Sequence, residues 1–184
     1  NDKFSKIFRM EGYAGYGLKD EAFKYSLGSG IRLGKFSNTW IGGSYTDDVQ
    51  EIASTSFEVD KRKFRLYDPR PINLTTFYNH QTWKGYVESR LIPKTESIWL
   101  LSHSFVDPKF GYQFQTKDKI LTSYNLTMAT ASLQWNPFSV YMQTPTGRIE
   151  TEKKFPKFTF QFTQTVSGIL ENDLRFGKFD FKAD

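Results

Sequence analysis

The chain has 184 residues, 25 Lys+Arg against 20 Asp+Glu for a net charge of +5, and no cysteine, which excludes disulfides and thiolate metal sites. Basic and acidic residues are interspersed, as in "KDEAFK", "DKRKFR" and "IETEKKFPK", a pattern of solvated mixed-sign turns and not of a nucleic-acid footprint. Aromatic residues make up 17% of the chain, yet the mean hydropathy is −0.55, so the sequence is aromatic-rich without being apolar overall.

No run approaches the roughly 18 consecutive apolar residues of a membrane helix. The first residues, "NDKFSKIFRMEGYAGYG", lack the charged start, apolar centre and cleavage site of a signal peptide. In that stretch Phe8, Met10, Gly12, Ala14 and Tyr16 share one face of a strand, and Arg9, Glu11 and Tyr13 share the other. Its glycines have no P-loop lysine after them and bind no phosphate. The polar turn "LKDEA" leads into "FKYSLGSGIRL", which sets Phe23, Tyr25, Leu27, Ile31 and Leu33 against Lys24, Ser26, Gly28, Gly30 and Arg32.

"YTDDVQE" reads as a loop in which Asp47, Asp48 and Glu51 lack the glycine and regular oxygen spacing of a calcium site, hence a solvated turn. His80, in the predicted loop "FYNHQT", has no second histidine at ligand spacing, and no metal site is expected. "WKGYVESRLI" sets Trp83, Val87 and Leu91 against Lys84, Tyr86, Glu88 and Arg90, and "IPKTES" turns it back into "SIWLLSHSF". There His103 stands between Ser102 and Ser104, which face the opposite side of a strand, and position 105 is Phe. His103 is therefore expected to be a structural or lumen residue and not a catalytic base.

"YNLTMATASLQW" and "DLRFGKFDF" continue the series more weakly, whereas "FPKFTFQFTQTV" shows it most clearly, with Phe158, Phe160 and Phe162 on one face and Thr159, Gln161 and Thr163 on the other. The last segment stops in mid-pattern; an unpaired edge is costly, so a piece of a longer chain is expected. Pro108, Pro137, Pro145 and Pro156 cannot donate to a ladder and mark strand edges or turns. The predicted turn motifs comprise Asp107 and Pro108, Asn136 and Pro137, and the connector "QTPTGR" with Pro145, Gly147 and Arg148; Arg148 is placed to pair with Glu88 or Glu150.

The pattern predicts an all-β chain of roughly eight to ten antiparallel strands, each of about nine to twelve residues, the length a tilted strand needs to cross a hydrocarbon core. Alternation of this kind fits a soluble sandwich with its apolar side inward as well as a membrane barrel with that side outward. Strand length, aromatic-rich apolar sides and the strand glycines of "GYAGYG", "LGSGIRL" and "WIGGSY" favour an up-and-down transmembrane barrel, present here in part. Trp40, Tyr45, Trp83 and Trp135 then suit interfacial girdles. On this reading Phe23, Tyr25, Leu27, Trp83, Val87, Phe158, Phe160 and Phe162 face lipid, while Lys84, Glu88, Arg90, Thr159, Gln161 and Thr163 face the lumen.

Several pieces carry a family resemblance: Val106-Asp107-Pro108 with Phe110 and Tyr112, then Trp135-Asn136-Pro137-Phe138, Gln143 to Arg148, and Phe155-Pro156-Lys157-Phe158. With "RKFRLYDPRPINLTTFYNHQTWKGYVESRLIPKTES" before them, the sequence resembles, over nearly its whole length, a Bacteroidota outer-membrane β-barrel family of unknown function. Members of that family usually carry a preceding carboxypeptidase-regulatory-like domain, and this chain resembles a central slice of such a protein. The resemblance implies a non-enzymatic outer-membrane role in transport, assembly or anchoring, with no cofactor. The implied partners are outer-membrane lipid, lipopolysaccharide and other envelope proteins, without nucleic acid. Two other readings stay open: a soluble barrel or sandwich that binds a small apolar ligand or a glycan, and an outer-membrane lipid hydrolase that uses His103.

Overall fold

A computed structural model of the chain describes residues 7–18, 21–34, 38–51, 57–59, 77–90, 92–111, 113–115, 120–144 and 147–184. The predicted turn residue Pro145 lies outside them, as does most of the stretch between 52 and 76. In chain order the strands are β1 (Phe8–Gly17), β2 (Ala22–Gly34), β3 (Thr39–Glu51), β4 (Phe77–Ser89), β5 (Thr95–Pro108), β6 (Phe114–Gln115), β7 (Ile120–Leu121), β8 (Tyr124–Trp135), β9 (Val140–Thr144), β10 (Gly147–Glu152), β11 (Phe158–Thr165) and β12 (Gly177–Ala183).

Eight of these strands form one antiparallel sheet in the order β1-β2-β3-β4-β5-β8-β11-β12. It is an up-and-down meander in which β6–β7 and β9–β10 are separate two-stranded excursions on two connections. The sheet is open: β1 and β12 each have one neighbour, and the expectation of a barrel is met here only as an all-β antiparallel wall. Its longest strand, β5, has 14 residues, and β2, β3 and β4 have 13 each. At about 3.3 Å per residue, 13 residues reach roughly 43 Å, well beyond the usual soluble strand.

One end of the sheet carries the close connections between Gly34 and Thr39 and between Ser89 and Thr95, where Asn38 (φ 48) and Lys94 (φ 59) take left-handed backbone. This tight-turn end also holds the β9–β10 excursion, the start of β1 and the end of β12. The connections from Glu51 to Phe77, Pro108 to Tyr124 and Thr165 to Gly177 lie at the opposite end, together with the short one from Gly17 to Ala22, while the long connection from Trp135 to Phe158 is the one that carries β9–β10 at the tight-turn end.

Several segments differ from their sequence-based expectation. Asp47, Asp48 and Glu51 belong to β3 and not to a loop, and His80 belongs to β4. Polar residues at a strand end look like a turn when the partner strand is unknown; here Gln81 donates to Asp47 at 3.0 Å and Tyr13 donates to Asp48, so both carboxylates are held along the ladder. Asp107 and Pro108 are the last residues of β5, paired with Asn79 and Tyr78, whereas Asn136 and Pro137 do form the turn after β8.

The long-loop end of β8 shows how an uneven edge is completed. β11 stops opposite Met128, four residues short of the start of β8 at Tyr124, and the chain after β11 supplies replacements for the missing ladder. Val166 donates its N–H to the Thr127 carbonyl at 2.9 Å, the Asn172 side chain accepts the Thr127 N–H at 3.1 Å, and Asp173 both accepts the Asn125 N–H at 2.7 Å and donates to the Asn125 carbonyl at 2.9 Å. Thr127 is fully buried. Removing the acceptor with Asn172→Ala strands its N–H and is expected to cost about 1–3 kcal/mol. Hydrogen exchange should speed up at Thr127 and Asn125 first; unchanged exchange there would contradict this account.

Candidate functional site

Side-chain register divides the sheet into two chemically opposite faces. The cross-strand row Phe8–Ile31–Ile41–Val87–Trp99–Ala131–Phe162–Phe179 runs through all eight strands without a polar residue. On the same face a second row carries Leu27, Tyr45 and Trp83, and a third carries Leu133, Phe160 and Phe181. These side chains are not a core. Phe23 is 75% exposed, Trp83 64% and Leu27 61%; Tyr25, Val87 and Phe162 are exposed, and Phe158 and Phe160 are half-buried. Cross-strand aromatic contacts hold the surface together, with ring centroids 4.6 Å apart for Tyr45–Trp83, 5.7 Å for Trp135–Phe158 and 5.1 Å for Phe160–Phe181.

The opposite face is polar and buried. Thr82, Ser102, Ser104, Thr130, Ser132, Gln134, Thr159, Gln161 and Thr163 lie there, and Thr159 and Ser132 are 0% exposed. Among the described residues the one buried hydrophobic side chain is Val106. Hydroxyls bond one another across strands: Thr82 to Ser104 at 2.9 Å, Thr130 to Thr163 at 3.1 Å and Ser26 to Thr46 at 2.8 Å. Part of the β3–β4 connection crosses this face, where the Glu58 N–H donates to Gln161 at 2.9 Å above a cavity of about 260 Å³ that Lys84 and His80 also line.

Arg9 organises the tight-turn end of the inner face. Its guanidinium reaches across β2 and β3 to Glu88 at 3.1 Å and to the Tyr86 hydroxyl at 2.8 Å, and it stacks 4.9 Å from the Trp40 ring. The crossing needs a bare floor. Gly30 and Gly42 provide it, since a Cβ on Gly30 would come within 2.7 Å of the Tyr86 hydroxyl and one on Gly42 would meet the Ser29 carbonyl. The predicted lumen residues Lys84, Glu88, Thr159, Gln161 and Thr163 all belong to this face; Arg90 lies just past β4 and pairs with Glu96 at 2.8 Å. Arg9 is a member that sequence reasoning passed over, although its place opposite Phe8 and Met10 in the alternation was readable.

Two expectations are corrected here, the girdle placement of the aromatics and the lumen alternative for His103. Trp40 is on the inner face under Arg9, not in an outer girdle; Tyr45 and Trp83 lie in mid-strand on the outer face, and Trp135 alone of the four ends a strand there. Glu88 is held by Arg9, while the Arg148 side chain lies outside the described residues. His103 pairs with Trp83 on the outer face and is not a lumen residue. Its Nδ1 is 2.9 Å from the Thr127 hydroxyl, whose own proton goes to the Glu171 carbonyl at 2.9 Å. The imidazole therefore donates to Thr127, the reverse of what a general base needs from a nucleophile.

Among the described residues no cluster of His, Cys, Asp or Glu could hold a metal ion, and no helix is long and apolar enough to cross a membrane, which says nothing of strands. Residues 102–184 match the C-terminal domain of a family of unknown function (DUF5686). The match begins within β5 and runs through β12, and it includes β11 with its Phe and Thr/Gln alternation. No curated protein and no solved structure matches the chain.

Proposed function

We propose that this chain is part of the wall of an outer-membrane β-barrel, with its aromatic face against lipid and its hydroxyl-rich face toward a polar interior, in a non-enzymatic role of transport, assembly or anchoring. One observation carries the reading: the burial of the sheet is inverted, with Thr, Ser and Gln buried and Phe, Trp, Leu and Ile exposed. A water-soluble sandwich or ligand-binding barrel has the opposite arrangement, because apolar area is what folding in water removes from solvent. Hydrocarbon tolerates no free backbone edge, so β1 and β12 each require a further strand. β12 runs antiparallel to β1 and ends where β1 begins, which suits closure by an even number of strands.

The test is fractionation of native membranes, probed with an antibody against residues 106–150 on samples run with and without boiling. A band in the outer-membrane fraction whose mobility shifts on boiling is the expected result. A soluble band unaffected by boiling would reject the membrane reading and leave the exposed aromatics to a protein or ligand partner.

A further inference from the structure

The polar side chains of the outer face are not scattered. Toward the long-loop end they begin at Gln164 on β11, at Thr127 and its partner His103 on β8 and β5, and at Gln81 and Asp47 on β4 and β3. Thr127 itself is covered by the chain after β11, whose exposed Glu171 and Asp173 keep the border polar there. Gln164 shares a cross-strand row with Ala129, Leu101, Gly85 and Gly43, and Asp47 stands four residues beyond Gly43 on β3. The border therefore climbs by four residues while crossing the four strand spacings from β11 to β3. Phe105, the next outer-face residue past His103, is an aromatic of the kind such a border admits. The opposite border steps the same way. Thr39 and Ser89 are bonded through their hydroxyls at 3.1 Å and Ser89 faces Ser97 on β5, but Ser97 faces Leu133 on β8, and Trp135 and Phe158 carry the apolar surface past that row. Between the two borders Ser29 is the one non-aromatic polar residue on the outer face of the described strands.

With about 3.3 Å per residue and about 4.8 Å between strands, a climb of one residue per strand inclines the borders by about 35° to the cross-strand rows. On β3 and β4 the borders stand eight residues apart, from Thr39 to Asp47 and from Ser89 to Gln81, which at that inclination is about 22 Å across the band. A bilayer imposes on a barrel wall a strand tilt of about 35–45° and an apolar band about 25 Å tall. We infer that the two borders are the headgroup planes of a lipid bilayer, with Asp47, Gln81, His103 and Gln164 along one plane, Thr39, Ser89 and Ser97 along the other, and the strands inclined between them. A protein partner has no reason to end at two parallel lines, because its footprint closes around a centre with a polar rim. β3 and β4 continue for four residues beyond Asp47 and Gln81, so there the wall stands about 11 Å clear of the hydrocarbon. The assignment rests on the reading of this face as lipid-facing.

The test uses the full-length protein carrying Ser29→Cys, Gln164→Cys or Gln81→Cys, labelled with bimane and reconstituted into palmitoyl-oleoyl phosphatidylcholine vesicles that hold a nitroxide either on the headgroup or deep in the acyl chain. This chain has no cysteine of its own, and the unmodified protein is the labelling blank. Ser29 and Gln164 share one cross-strand row, five strand spacings apart, so on an inclined wall the Ser29 label should lie about 14 Å deeper than the Gln164 label. Gln164 and Gln81, two rows apart, should lie at equal depth. Leu27→Cys gives a second deep position in case Ser29→Cys does not fold, and folding of each variant is checked by its mobility shift on boiling. Equal depth for Ser29 and Gln164, or unequal depth for Gln164 and Gln81, would overturn the inclined slab while sparing the membrane wall. A Ser29 label quenched by aqueous iodide and by neither nitroxide lipid would overturn the wall, and the slab with it.

Discussion

Leu27→Arg is expected to lower stability in a phospholipid bilayer by about 2–4 kcal/mol, the cost of an arginine on the lipid face near mid-membrane. Leu27 lies near the centre of the 13-residue β2 and is 61% exposed, with Tyr45 as its cross-strand neighbour. Its exposure makes the substitution diagnostic. If water bathed this face, replacing an exposed leucine would change stability by no more than about 0.5 kcal/mol, because nothing buried is disturbed. Denaturant titration of the protein folded into vesicles reads the difference directly. A near-neutral result there would remove the strongest physical support for a lipid-facing surface.

The second large effect is expected from Glu88→Ala. The Arg9 side chain is 10% exposed and that of Glu88 22%, so deleting the carboxylate leaves a largely buried guanidinium beside Tyr86 and Trp40 without a counter-charge. Breaking such a pair from one side costs about 3 kcal/mol, more than the pair itself contributes, because the surviving charge keeps its desolvation penalty. Removing both partners in Arg9→Met with Glu88→Leu should recover much of the loss, whereas Arg9→Met alone should leave a carboxylate behind and remain costly. Unfolding midpoints of the two single variants and the double variant form the cycle. Losses that simply add would show that Arg9 and Glu88 are not coupled.

Much of the wall was legible from single-strand alternation. The Phe158-Phe160-Phe162 face and the Thr159-Gln161-Thr163 face lie on opposite sides of β11 as expected, and Phe23, Tyr25 and Leu27 share the side of Trp83 and Val87. The misses came where a residue's role depends on a distant strand. Trp40 alternates correctly, yet its use is set by Arg9, 31 positions earlier by number, and by the glycines between their strands. Asp47 and Asp48 resemble a turn until Gln81 and Tyr13 are found beside them. The ladder substitutes at Asn172 and Asp173 had no signal, because Asn172 follows no alternation and Asp173 reads as the start of the strand segment "DLRFGKFDF", which begins only at Gly177. For His103, expected to be a structural or lumen residue, strand parity decides between the two by putting it beside Trp83 and Leu101 on the outer face.

The link from Arg9 to Glu88 spans 79 residues of sequence and passes over two strands, so it forms only when β1, β2, β3 and β4 are all in register. Sliding β2 by a single residue would put Ser29 or Ile31 where Gly30 now lies, raising a side chain under the guanidinium and exchanging the two faces of the strand at once. The bridge thus acts as a proofreading contact for the first four strands, rewarding one alignment of a meander whose repeating pattern offers several. β5 and the strands beyond it then add to an edge whose alignment has already been tested.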